Sequence, residues 1–262
     1  MKFAFIVAGF LYVLSATAQA QTNRLDRIAS AKELRACIWP DYFGISYRSP
    51  KTQQLEGIDI DMAQALAKDL GVVLRFVDSS FPRLVDDLTQ DRCDIGMFAI
   101  GITPARAEKL RFSKPYLSSD IFAITTKSNR RIKTWVDIDQ PGVVVSVAKG
   151  TLHEAVMRDK LKAATLVVNA TPQGREQDVE SGRADVFMTD YPFSRRMLEQ
   201  TDWARLVSPP STYHLTSYAY ALAPGDDRWL ARVERFVANV KADGRLDAAA
   251  RKHQLEPIVA RD

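Results

Sequence analysis

The sequence predicts an α/β protein of two lobes joined by two strands. Residues 34–100 and 143–189 each alternate short apolar runs with helical patterns. Each succession reads as β-α-β-α-β, the pattern of a parallel sheet flanked by helices. Residues 95–100 carry no polar side chain, which suits a strand buried on both faces. Two extended runs of similar length, 121–126 and 217–223, bracket the second unit. The expected organisation is a leader at 1–20, a first lobe over 21–124, a second over 125–217, and a return to the first over 218–262.

The leader stands apart from the fold. Met1-Lys2 is a basic start, residues 3–14 are apolar, and Ala18-Gln19-Ala20 is a small-x-small cleavage site, the three parts of a signal peptide. Its apolar stretch is too short to span a bilayer comfortably, and polar Gln21-Thr22-Asn23 follow at once. No cysteine stands at the cleavage site, so the mature chain is expected to start at Gln21, exported and without a lipid anchor.

In the first lobe, 34–38 is a strand and 59–70 an amphipathic helix with Gly71 just past its end. Residues 72–77 form a second strand, 81–89 a helix with Pro82 in its first turn, and 95–100 a third strand. In the second lobe, 143–147 is a strand, and Gly150-Thr151 turns into a helix over 152–161. Then come a strand at 165–168, a helix at 174–182 and a strand at 186–189 that ends at Asp190. A helix over 192–199 carries Arg195 and Arg196 on its solvent side. Helices over 227–240 and 246–253, separated by Gly244, return to lobe one. The lobes are Rossmann-like, and the crevice between them faces strand carboxyl ends, where ligands bind in open α/β sheets.

Composition narrows the function. The 36 basic and 32 acidic residues leave a net charge of +4, one less once Lys2 leaves with the signal. Charges are interspersed, which argues against a nucleic-acid surface and against a membrane-lying helix. Cys37 and Cys93 either pair, as export would permit, or sit as two buried thiols; spacing alone leaves both readings open. His153, His214 and His253 are scattered, so neither a zinc site nor any other metal or cofactor is expected.

The order of several short motifs resembles the periplasmic solute-binding proteins of polar amino-acid ABC transporters, the bacterial extracellular solute-binding protein family 3. Arg35-Ala36-Cys37-Ile38-Trp39-Pro40-Asp41-Tyr42 resembles the family's opening strand and aromatic loop, and Gly57-Ile58-Asp59-Ile60-Asp61 its G-[FY]-D-[IV]-D motif. Asp91-Arg92-Cys93-Asp94-Ile95 resembles G-x-x-D. The segment from Thr103-Pro104-Ala105-Arg106 to Phe112-Ser113-Lys114-Pro115-Tyr116 resembles T-P-E-R-x-x-x-[IV]-x-F-[ST]-x-P-Y. Lys149-Gly150-Thr151 and the run from Gly182 to Asp190 complete the set. The resemblance implies a type II periplasmic binding protein fold, two Rossmann-like lobes joined by two hinge strands, and a periplasmic location.

It also implies a ligand set. Arg106 would hold an α-carboxylate, since a guanidinium offers a planar bidentate fork that lysine cannot; the competing reading is a surface arginine paired with Glu108 or Asp94. Asp190 would take an α-amino group, or else cap the helix that follows it, and one carboxylate can do both. Gly150 and Thr151 would meet the carboxylate from the second lobe, or simply form a turn and cap. Tyr42 would pack on the ligand's aliphatic part, and Trp39 and Tyr47 flank it, where ordinary core or lid packing is the better account of both. Ala99 and Gly101 join the set from the strand end before Arg106. Gly101 replaces the family's usual Ser or Thr, and Trp39 stands where binders of basic amino acids often carry an acid. A cationic ligand is therefore not expected; an apolar, aromatic or small polar side chain is.

Three function classes remain. The first is a non-enzymatic receptor that closes its lobes on an α-amino-acid-like solute and docks, as a shuttling monomer, on an inner-membrane ABC permease. The second is an enzyme like the periplasmic cyclohexadienyl dehydratases, with His153 or Glu154 as the candidate general acid. The third is an accessory or sensory protein of a periplasmic dehydrogenase or signalling system. The receptor fits best, with no catalytic residue assigned.

Overall fold

The computed structural model describes residues 23–261; the signal-peptide reading of 1–20 lies outside them. The first lobe opens with helix α1 (Arg24–Ala31) and strand β1 (Glu33–Ile38). A small antiparallel sheet follows, made of β2 (Asp41–Tyr42), β3 (Ser46–Arg48) and β4 (Leu55–Glu56). Next come α2 (Ile58–Leu70), β5 (Val73–Asp78), α3 (Leu84–Thr89), β6 (Ile95–Gly101), the single turn α4 (Pro104–Ala107), β7 (Arg111–Phe112) and β8 (Leu117–Ser119).

The second lobe holds β9 (Phe122–Thr126), β10 (Val144–Ala148), α5 (Leu152–Lys160), β11 (Thr165–Asn169), α6 (Pro172–Glu180), β12 (Val186–Thr189), α7 (Tyr191–Gln200) and β13 (Ala204–Val207). The chain then returns through β14 (Thr216–Leu222), α8 (Asp227–Ala242) and α9 (Arg245–Lys252).

The first sheet runs β5-β1-β6-β14-β7, with β8 also on β14, and the second runs β11-β10-β12-β9-β13. In each, two βαβ units give parallel pairs, β1 with β5 and β6, and β10 with β11 and β12. All seven residues of β6 are buried, as a strand without polar side chains requires. The two joining strands are each knitted into a sheet. β9 pairs antiparallel with β12 and β13, and β14 with β6, β7 and β8, so their backbone groups are satisfied.

Several local features explain how the site is placed. Gly57 caps α2 with φ at 132°, and a Cβ there would lie 2.3 Å from the Ile45 carbonyl oxygen. Only glycine allows that approach, and it seats α2 under β6. From the first turn of α2, buried Asp59 accepts hydrogen bonds from the Ala99 N–H at 2.8 Å and the Tyr116 hydroxyl at 2.6 Å. Ala99 has φ at 48°, a left-handed conformation that costs a non-glycine residue energy. Burial raises the Asp59 carboxyl to about 7.

Cys37 and Cys93 form a disulfide that ties β1 to the start of β6, which resolves the two readings in favour of pairing. At the return, the Trp229 indole donates to the Asp94 carbonyl at 2.9 Å, and α9 ties to α2 through Lys252 and Asp61 at 2.9 Å.

Two expectations need correction. The helix expected over 81–89 begins only at Leu84. Phe81 and Pro82 belong to the turn before it: Phe81 packs on Trp39, Tyr42 and Phe98 at the cleft, and Pro82 lies against Gly150 of the other lobe. Arg195 and Arg196 do not point freely to solvent, with side chains 16% and 19% exposed. Arg195 donates to the Gln254 carbonyl at 2.8 Å, and Arg196 lies over the Phe193 ring with Glu176 at 3.3 Å.

Candidate functional site

β6 ends at Gly101 and the chain turns at once into α4, whose cap Thr103 accepts from the Arg106 N–H at 3.3 Å. That turn aims Arg106 back across the end of the sheet. Arg106 is 8% exposed. It donates through Nη1 to the Gly101 carbonyl at 2.8 Å and through Nη2 to the Gly150 carbonyl, in the other lobe, at 3.1 Å. Its guanidinium carbon lies 5.0 Å from the Phe81 ring centroid. Burial lowers it to about 10, so it stays charged at neutral pH. Among the described residues no carboxylate forms an ion pair with it, neither Glu108 nor Asp94. Asp94 is instead held by Arg24, Arg27 and Arg35.

The cleft beside Arg106 has an empty volume of about 380 Å³. Trp39, Tyr42, Ala99, Gly101, Thr151 and Asp190 line it with Arg106, so seven of the eight expected positions come together there. Gly150 is not on the wall but contributes the carbonyl that Arg106 reaches. Tyr47 packs on Phe43 and does not line the cleft. Trp39, Tyr42 and Phe81 pack on one another, with centroids 5.2–6.1 Å apart, and Phe81 also meets Phe98. These rings give the first-lobe wall an apolar face.

Asp190 is fully engaged. Its Oδ1 accepts from the Phe193 N–H at 3.2 Å, which makes it the cap of α7. Its Oδ2 accepts from the Tyr42 and Tyr218 hydroxyls, the latter at 3.0 Å. Tyr42 and Asp190 belong to different lobes, so this bond, like Arg106 to Gly150, holds the cleft closed. Burial raises the Asp190 carboxyl above its ordinary value, partly offset by those hydrogen bonds.

The Gly150-Thr151 loop is also satisfied internally. The Gly150 N–H donates to Glu154 Oε2 at 2.7 Å, and the Thr151 hydroxyl to the Ala148 carbonyl at 2.7 Å. Gly150 has φ at 73°, and a Cβ on it would lie 2.9 Å from Pro82. The lobes therefore meet where only glycine fits.

Six wall residues were not expected from sequence: Phe81, Leu152, Arg175, Thr189, Phe193 and Tyr218. Arg175, 3% exposed, is the most consequential. It lies on α6 between the Phe187 and Phe193 rings, at 4.9 and 4.3 Å from their centroids, and donates through Nη1 to the Met188 carbonyl at 2.8 Å. A signal was present. Pro172, Arg175 and Val179 are the buried residues of α6, and their spacing of three and four puts them on one helix face. His153 is buried with neither ring nitrogen in a hydrogen bond of normal geometry, although it lies beside the Thr189 backbone. Burial, then the Arg175 charge, push it down to about 3. Among the described residues no group of His, Cys, Asp and Glu suits a metal ion.

Comparison with known proteins places this architecture. The profile of the bacterial extracellular solute-binding proteins, family 3, matches residues 34–256. The cyclohexadienyl dehydratase of Pseudomonas aeruginosa is 36% identical over 233 residues, covering 88% of this chain and 86% of that protein. A putative ABC transporter arginine-binding protein of Escherichia coli K12 is 27% identical, covering 92% and 93%. Among solved structures, an ancestral amino acid-binding protein that is a precursor of cyclohexadienyl dehydratase superposes with a TM-score of 0.80 at 31% identity, covering 87% of this chain and 98% of that one. With a cleft between two α/β lobes and a family match across nearly all the described residues, the chain belongs to the bacterial extracellular solute-binding proteins, family 3.

Proposed function

We propose that this protein is a periplasmic receptor that closes its lobes on an amino-acid-like solute and presents it to an inner-membrane ABC permease. The observation that carries this reading is Arg106, a buried cation in the cleft with no acidic partner among the described residues. A buried charge left unpaired is costly, and a ligand carboxylate would supply the missing partner. The carboxylate would replace the Gly150 carbonyl on the fork, while the second-lobe loop closes from the other side. Ligand shared by both lobes binds the closed form better and shifts the hinge equilibrium toward it.

The ligand is not cationic in this reading, unlike that of the arginine-binding relative. The wall holds Arg106 and Arg175 against one carboxylate, Asp190, and Trp39 offers no counter-ion. In the mature monomer, a thermal-shift panel of amino acids, dicarboxylates and prephenate tests the proposal. A true ligand at about a hundred times its dissociation constant stabilises by roughly 2.7 kcal/mol, and Arg106→Ala removes the shift. No shift with any amino-acid-like solute would contradict it.

The similarity to a dehydratase favours a second reading, an enzyme on the same scaffold. The two acids that sequence nominates fit it poorly. His153 is unprotonated at neutral pH, since it is pushed down to about 3. Glu154 is held by the Gly150 N–H and by Arg158 at 2.9 Å, off the cleft wall. Release of phenylpyruvate from prephenate would support that reading.

A further inference from the structure

We propose that Arg175, Thr189 and His153 form a second anion-recognising subsite in the same cleft, so that the bound solute carries two acidic groups. Arg106 holds one and Arg175 the other. This rests on the receptor reading and names its ligand class.

The second-lobe wall has polar atoms with nothing to bond. Arg175 Nε and Thr189 Oγ1 are buried without a hydrogen-bond partner, and the His153 ring nitrogens make no bond of normal geometry although the ring lies beside the Thr189 backbone. All three residues line the cleft, at 3%, 1% and 7% exposure. Buried polar atoms are nearly always satisfied, and leaving one without a partner is costly. Several such atoms on residues that line one cleft are what an acceptor group entering it would satisfy. All three side chains can donate: a guanidinium edge, a hydroxyl and a neutral imidazole N–H.

Arg175 could instead be a strut that ties α6 to β12. One of its donors does that, reaching the Met188 carbonyl. The Phe187 and Phe193 rings then fix the plane of the fork without using its N–H groups. A strut would leave no cluster of unsatisfied neighbours. Charge points the same way. Arg175 forms no ion pair among the described residues; the nearby Glu176 is bonded to Arg196 at 3.3 Å. Asp190, the one carboxylate on the wall, has both oxygens occupied by Tyr42, Tyr218 and the Phe193 N–H. Two buried cations against one anion suit a ligand with two carboxylates better than a neutral amino acid.

Calorimetric titration of the ligand-stripped mature protein tests this. The probes are aspartate, glutamate and 2-aminoadipate, asparagine and glutamine as the amides of the first two, and succinate and glutarate, which lack the amino group. At least one diacid should bind about tenfold or more tighter than its amide or neutral counterpart, a difference of about 1.4 kcal/mol. Arg175→Met should remove most of that preference while leaving neutral amino acids within about threefold, and Arg175→Lys should restore part of it. Should Arg175→Met fail to fold, Thr189→Val reads the same preference and should lower it. Tightest binding of a neutral amino acid, or equal weakening of acid and amide in Arg175→Met, overturns the subsite and leaves the receptor intact. No binding by any amino-acid-like solute, with Arg106→Ala indistinguishable from wild type, overturns both.

Discussion

The two walls of the cleft differ in how their polar groups are satisfied. On the first-lobe wall, Asp59 holds Ala99, Gly101 holds Arg106, and Phe81 stacks on the guanidinium. A disulfide braces the strands behind it. On the second-lobe wall, Thr189 and Arg175 carry buried atoms with no partner, and the His153 ring nitrogens make no bond of normal geometry. The first wall is a finished anchor for a feature that all ligands of one class share. The second is left open at these three residues alone, beside the satisfied Asp190 and Thr151, and an open patch is what a wall that distinguishes between ligands requires.

Removing the anchor should have the largest effect. Arg106→Ala should weaken ligand binding by about 3 kcal/mol or more, as truncating one partner of a buried charge pair does. The ligand-free protein should lose little stability, because a buried unpaired charge goes with the side chain. Calorimetry and thermal melts of the same variant separate the two. A large loss of free-protein stability would mean that Arg106 is a strut rather than an anchor.

Bracing is next. Replacing Cys37 and Cys93 together by alanine should cost about 2–4 kcal/mol, read by denaturant unfolding, with little change in affinity if the bond stiffens only the scaffold. A third contrast lies in pH. The Asp59 carboxyl is near 3.8 when unfolded and about 7 when folded. The folded state therefore binds this proton more tightly. Its stabilisation is present below the unfolded value and is lost as pH rises through about 7. Asp59→Asn, which keeps an oxygen for Ala99 and Tyr116, should flatten that pH dependence. An unchanged pH profile in that variant would move the effect elsewhere.

The smallest effect concerns the seam between the walls. Gly150→Ala puts a Cβ 2.9 Å from Pro82 at a positive φ, which should cost the closed form about 1–2 kcal/mol. Small-angle scattering should show a larger radius of gyration and titration a weaker affinity. An unchanged radius would mean that the lobes do not meet at this point in solution.

Legibility in sequence follows the same division. The β-α-β-α-β units were readable because strands and helices on one sheet impose different hydrophobic periods. Arg106 and Asp190 were readable because Asp190 follows directly on a buried strand, Arg106 lies in the first turn after another, and each stands in a recognisable local motif. The two- and three-residue strands of the small sheet were too short to show a period. Tyr218 was hidden in a run that read as a connector, although β14 is an inner strand of the first sheet. Phe81 was missed because Pro82 suits a helix's first turn as well as the tight turn it actually makes. Arg175 was missed because Gln173 to Asp178 looks like a solvated face. The polar residues on that face hid an arginine standing where an apolar residue would normally pack.

The most direct measurement is a titration followed by recovery of the ligand. The solute that gives the largest thermal shift is bound in equal amount to the mature protein at pH 7.4, held for hours and released by denaturation. Mass spectrometry should return it unchanged, with one molecule bound per chain and no binding by Arg106→Ala. Recovery of a dehydrated or decarboxylated product, or full binding by Arg106→Ala, would contradict the receptor.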